Sequence, residues 1–185
     1  MLRKVRRIIR WFFLTLMLLS MQTTVSAKVY LTVGEALEMA FPECEVQRQT
    51  IYLTEEQEIE ARKLANEPLE NLLVYPYVAT KDGQFVGVAY FNSHIVRTLP
   101  ETIMVAVNRN DQVQRIELLV FKEPPNYIPP DIWYRQFRGK QLNDQLALNR
   151  GIRGILGATL TTRYTTNAVR RMLAIHNVIK EQLHL

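Results

Sequence analysis

Asp82-Gly83 sits between two runs rich in Val, Tyr and Phe, "LLVYPYVAT" and "QFVGVAYFNSHIV", and no other stretch limits the fold of this chain so tightly. An Asp-Gly pair supplies the left-handed dihedrals that a tight hairpin turn needs. The two runs are therefore predicted to close on each other as antiparallel strands around Lys81-Asp82-Gly83. "ETIMVAVNRNDQVQRIELLVF" repeats the design, with strands over 103–107 and 113–121 turning at 108–111. Alternation is partial in both hairpins, which predicts an antiparallel sheet covered on one face. Pro76 inside the first run marks an edge position or a bulge. "SHIVRTLPET" between the hairpins reads as an ordered loop.

Helical spacing flanks this centre. "LTVGEALEMAF" places Val33, Ala36, Leu37 and Ala40 on one face and stops before Pro42. In "TEEQEIEARKLANEP", Thr54 and Gln57 fit a capping box, Glu55 and Glu56 favour the dipole, and Pro68 follows the end. After residue 121, Pro124, Pro125, Pro129 and Pro130 force an extended loop. Asp131 is then placed to cap a short helix carrying Trp133, Tyr134 and Phe137. From about residue 162 to 183 a long helix has Val169, Leu173 and His176 along its apolar stripe, beside Met172, Ile175 and Ile179. The sum is an α+β domain over 28–185, a four-stranded antiparallel sheet packed with N-terminal helices and a long C-terminal helix.

Residues 1–27 read differently. Arg3, Lys4, Arg6, Arg7 and Arg10 precede the short apolar run "WFFLTLMLLSM", and Val25 and Ala27 fit the −3 and −1 positions of a small-residue cleavage site. That is the layout of a signal peptide, with an uncleaved anchor as the other reading; either exports the domain to the periplasm or the outer face of the cytoplasmic membrane. The run is short of the ~20 residues that span a bilayer as a helix. Five of the 23 Lys and Arg lie in this segment and none of the 18 acids does. The remainder is balanced, so the net charge of +5 gives no support to nucleic-acid binding.

Cys44 is the one cysteine, and His94, His176 and His184 are scattered. An intramolecular disulfide, a Cys-x-x-Cys metal knuckle, a thiolate-held iron–sulfur cluster and a Cys-x-x-Cys-His haem attachment are thereby excluded, and no zinc site is suggested. Redox chemistry here needs a cofactor without Cys or His ligands, a condition a flavin meets.

Gly151, Gly154 and Gly157 recur at every third position before Ala158 and Thr159, immediately ahead of the long helix. Small residues permit close approach to a ligand, and a helix start offers free N–H groups and about half a positive charge to a phosphate. On spacing alone, two readings stand: a phosphate site, or a glycine-rich turn capped by Thr161 or Thr162.

"GILGATLTTRYTTNAVRR" resembles the motif of the FMN-binding domain family, which includes flavin-carrying subunits of the sodium-pumping NADH:quinone reductase and of the Rnf-type complex. "LTEEQ", "HIVRTLPETIMVAV" and "FKEPPNYIPPDIWYRQFRGK" extend the resemblance over roughly residues 53–176, to stand-alone exported FMN-binding proteins. The family motif runs Asp-x-x-Ser/Thr-Gly-Ala-Thr/Ser, and a dedicated flavin transferase uses FAD to join FMN through its phosphate to the last hydroxyl. The resemblance implies Thr159 as that hydroxyl, beside Gly157 and Ala158. Arg153 and Leu156 stand where the motif has Asp and Ser or Thr. This leaves a non-covalent FMN-binding or protein-interaction module as the alternative.

The implied function is electron transfer, with a transferase for maturation and a membrane or periplasmic redox partner, PepSY-type membrane proteins among them. Leu160, Thr161 and Thr162 complete the candidate cofactor contacts at the turn. Arg97 is the candidate cation for the flavin N1–C2 carbonyl edge, in a loop with His94 and Glu101. Tyr127, Trp133 and Tyr134 are candidate stacking residues, and Arg163, Arg170 and Arg171 read as a solvated helix face. A hydrolase built on a Thr or Ser nucleophile requires a base such as His94 beside Thr159.

Overall fold

The turn at Asp82-Gly83 forms as its chemistry dictates. In the computed structural model, which describes residues 28–69 and 71–183, both residues have positive φ, +52° and +73°, and Lys81 pairs with Gln84 across them. The strands it joins are β5 (Tyr77–Lys81) and β6 (Gln84–Ile95). The other hairpin joins β7 (Pro100–Asn108) to β8 (Val113–Phe121), with Asp111 at φ +58°.

The segment between the hairpins is not a loop. β6 runs on to Ile95 and β7 starts at Pro100, so a third hairpin turns over 96–99. Polar Ser, His, Arg and Thr made it read as a connection, but cross-strand pairing from His94↔Glu101 to Ile95↔Pro100 claims most of it.

The sheet is wider than the four strands expected. Its order is β1-β8-β7-β6-β5-β2, antiparallel throughout, with β1 (Lys28–Val29) and β2 (Glu45–Arg48) at the two edges. Both escape a periodicity argument: β1 is two residues long, and "EVQR" is mostly exposed with no apolar alternation. A separate pair, β3 (Ile51–Tyr52) and β4 (Leu73–Val74), ends just before Pro76, where the first run breaks.

Both faces of the sheet are covered, where one was expected. On one face Val88, Tyr90, Ile103, Val105 and Val107 pack with Val169 and Leu173 of the long helix α4 (Thr159–Ile179). On the other, Ala79, Ala89, Met104 and Ala106 meet Ala36, Ala40 and Phe41 at helix α1 (Val33–Ala40). Gly87 belongs to this second contact, because a Cβ there would meet Val107 O at 2.5 Å and the Phe41 ring at 2.8 Å.

Helix α2 (Glu55–Ala65) has the expected Thr54–Gln57 capping box, and Gln57 also donates to Val178 O at 2.8 Å, tying α2 to α4. α1 carries a second capping box, Thr32–Glu35. The short helix α3 (Asp131–Tyr134) follows Pro130 without a side-chain cap, so Asp131 is its first residue rather than its cap. His176 lies fully inside, bridging the Tyr90 hydroxyl at Nδ1 and Asp111 at Nε2, both 2.9 Å. Lys180 donates to the other Asp111 oxygen at 2.6 Å, and these bonds hold that carboxyl low although burial pushes it up.

Candidate functional site

α4 begins three residues earlier than its periodicity suggests, and its start is open. Gly157 takes φ +87°, and an added Cβ there would meet nothing within 4 Å, so the turn requires the dihedral rather than the space. Ala158 is the N-cap residue and makes no side-chain cap bond, so neither Thr161 nor Thr162 caps the helix. No acid occupies the first turn. The N–H groups and partial positive charge of a 21-residue helix are therefore presented without internal neutralisation.

The hydroxyls at this start point to different places. Thr159 is exposed, and its Oγ1 donates only a long bond, 3.4 Å, to Ile155 O. Thr162 is fully buried and donates to Thr159 O at 3.1 Å. Leu160 is exposed and Thr161 buried, and both line a cavity of about 220 Å³.

The opposite wall of that cavity is the tip of the β6–β7 hairpin. Val96 N–H donates to Leu99 O at 3.1 Å, and a single oxygen of Glu123 accepts from Thr98 N–H (2.6 Å), Leu99 N–H (2.8 Å) and Thr98 Oγ1 (3.3 Å). The Thr98 N–H above all holds the Glu123 carboxyl below its ordinary value, against the effect of burial. Arg97 sits exposed at this tip. The cavity is lined by Val96, Arg97, Glu123 and Tyr127 together with Gly157 through Thr161. Six of the seven candidate cofactor residues thus share one small cavity, and Thr162 is turned into the interior. Larger clefts of about 660 and 430 Å³ lie along β8 and at the end of β5, and neither touches the Gly157 turn.

His94 and Glu101 do not join Arg97. Both are buried behind the Val96 wall, with His94 Nε2 2.9 Å from Glu101 Oε2 without hydrogen-bond alignment and Thr165 Oγ1 donating to the same oxygen at 2.8 Å. Tyr134 is buried at the same place; burial and then the Glu101 charge drive its phenol far up. Among the described residues no imidazole meets the Thr159 hydroxyl; the His94 ring bonds Asn92 and lies against Glu101. Of the aromatic candidates, Tyr127 alone lines the cavity, while Trp133 is buried and donates to Arg153 O at 2.6 Å.

That bond, with Gln136 accepting from Arg153 N–H, fixes Arg153 by its backbone; its side chain is exposed and does not line the cavity. Leu156 is fully exposed. The supposed solvated arginine face keeps only Arg163. Arg170 donates to the carbonyls of Leu64, Ala65, Asn143 and Leu146, and Arg171 is buried. Glu123 is the residue that sequence reasoning missed. Its one signal is position, an acid directly before Pro124-Pro125 with a polar hairpin tip to cap.

Among the described residues no group of three His, Cys, Asp or Glu is placed to hold a metal, and no helix is long and apolar enough to cross a membrane. The segment read as a signal peptide or anchor lies outside the described residues. No protein-family model matches the chain, and no curated protein matches it.

Proposed function

We propose that this chain is an exported electron-transfer protein carrying FMN through a phosphodiester at Thr159 Oγ1. The observation that carries the reading is an exposed threonine hydroxyl at the uncapped start of α4, sharing a cavity with Arg97. In attachment, Thr159 Oγ1 loses its proton and bonds to the FMN phosphorus of FAD, and AMP leaves; a dedicated flavin transferase supplies this step. The helix N–H groups and dipole then hold the phosphodiester charge. Bound FMN supplies reversible one- and two-electron chemistry. Arg97 would provide a cation at the rim, and Tyr127 an aromatic wall.

The cavity volume bears on what the site does. About 220 Å³ is below the ~300–1,000 Å³ of pockets that enclose a small-molecule ligand. Only part of a flavin nucleotide fits within it, so the rest stays open to a redox partner, as a relay requires. A membrane or periplasmic donor, a PepSY-type membrane protein among the candidates, suits such an exposed cofactor.

A second reading, non-covalent FMN binding or a protein-interaction module without flavin, is favoured by Arg153 and Leu156, which depart from the family motif and point to solvent. Acid precipitation separates the two. Protein exported from a host with an active flavin transferase keeps its yellow colour in the washed pellet if the bond is covalent, as does Thr159→Ser. A colourless pellet with flavin in the supernatant supports the second reading.

A further inference from the structure

The cleft of about 430 Å³ at the end of β5 has no part in the flavin reading, and its chemistry is specific. β5 stops pairing at Tyr77↔Ala89, while β6 continues to Ile95 with β7 on its other side alone. The edge of β6 from Tyr90 to Ser93 is thereby left lining a cleft. Tyr75, 38% exposed, lines it, and Met172 and Ile175 of α4 supply an apolar wall. Arg48 lies 4.1 Å over the centre of the Tyr75 ring, which orders both side chains at one side.

Arg171 lines the same cleft and is 9% exposed. A guanidinium has five N–H donors, and one so buried ordinarily makes several hydrogen bonds. Arg171 makes none among the described residues; its one ion contact, to Glu67 Oε2, is 3.9 Å long. Glu67 is itself engaged at its other oxygen by Asn167. Its neighbour Arg170 shows the contrast, with four carbonyl partners. The buried side-chain polar atoms left without a partner belong to His94, Glu101 and Tyr134, so the Arg171 nitrogens are not sealed off. Among the described lining residues are two arginines and no Asp or Glu. A desolvated, under-used guanidinium beside aromatic and apolar walls matches a planar anion with an apolar body.

We propose that this cleft binds a small planar aromatic carboxylate, its carboxylate paired with Arg171 and its ring held by Tyr75 and Met172. The site is independent of the flavin reading. Arg171 lies twelve residues along α4 from Thr159, roughly 18 Å at the helical rise.

The test is calorimetric titration of the exported full chain with 2-naphthoate and with its neutral analogue 2-naphthamide, repeated in Thr159→Ala so that flavin attachment plays no part. Saturable binding of naphthoate is expected in both proteins, with naphthamide weaker by roughly tenfold to a hundredfold. Arg171→Gln is expected to lose the same factor for naphthoate and little for naphthamide, and Arg171→Lys to recover part of it. Should Arg171→Gln fail to fold, Tyr75→Ala, at a partly exposed position, is expected to weaken naphthoate about tenfold. No saturable binding at millimolar naphthoate, equal binding of the amide, or unchanged affinity in a folded variant overturns the proposal. Loss of binding in Thr159→Ala alone also overturns it, because that places the ligand at the other cavity.

Discussion

One oxygen of Glu123 accepts two backbone N–H groups and a hydroxyl from Thr98 and Leu99 at the tip of the β6–β7 hairpin, and Arg97 directly precedes the residues so held. The carboxyl titrates below the ordinary glutamate range in the folded chain, so its stabilisation is complete above that range and is lost as pH falls through the lowered value. Glu123→Gln is therefore expected to lower the thermal midpoint at pH 7 and to flatten its fall as pH drops through and below the ordinary glutamate range. Identical acid profiles for the two proteins would count against this role. In the proposed flavin site Arg97, being exposed, would contribute charge rather than packing. Arg97→Gln in flavin-loaded protein is expected to lower the two-electron potential by on the order of 20 mV, the equivalent of about 1 kcal/mol for a solvated charge near the ring. Spectroelectrochemical titration reads this directly, and an unchanged potential removes Arg97 from the cofactor's surroundings.

At the scale of elements, the position of α4 decides the site, and Arg170 decides much of that position. Its guanidinium gathers the final carbonyls of α2 and two carbonyls of the 143–146 connection onto the middle of α4. Arg170→Ala is expected to destabilise the fold by about 2–3 kcal/mol, measured by urea unfolding at constant m. A loss near zero would mean that water replaces the arginine at those carbonyls. This clamp was not legible in "AVRRML", because two adjacent arginines on an amphipathic helix read as a solvated face. Only the partner carbonyls, far away in sequence, turn them inward. The hairpins were legible for the opposite reason, since Asp82-Gly83 and the turn at Asp111 carry their own dihedral requirements. The β6–β7 hairpin was missed because its turn is stabilised from outside, by Glu123, rather than by turn-forming residues of its own. The edge strand β1 is too short for alternation to carry information, and β2 is mostly exposed with no apolar alternation.

Across the whole molecule, the sheet places the hairpin tip and the start of α4 on one cavity, although Arg97 and Thr159 are far apart in the chain. Sequence reasoning marked the turn by its glycine spacing, a local property, but on spacing alone left a phosphate site and a capped turn both open, and took Thr159 from the family resemblance. The uncapped start is visible only in the structure. That Arg97 shares their cavity while His94 and Glu101 turn inward follows from strand register, which no single segment encodes. The same architecture keeps the cavity small and open, which suits a cofactor tethered at its phosphate and exposed beyond it. The central claim is the covalent bond at Thr159. Its most direct test is the intact mass of the exported protein co-expressed with a flavin transferase, alongside Thr159→Ala. The account predicts a gain of one FMN less one water in the parent protein, carried by the peptide containing Thr159, and no gain in the variant. An unmodified mass under conditions that flavinylate a member of the FMN-binding domain family would contradict it.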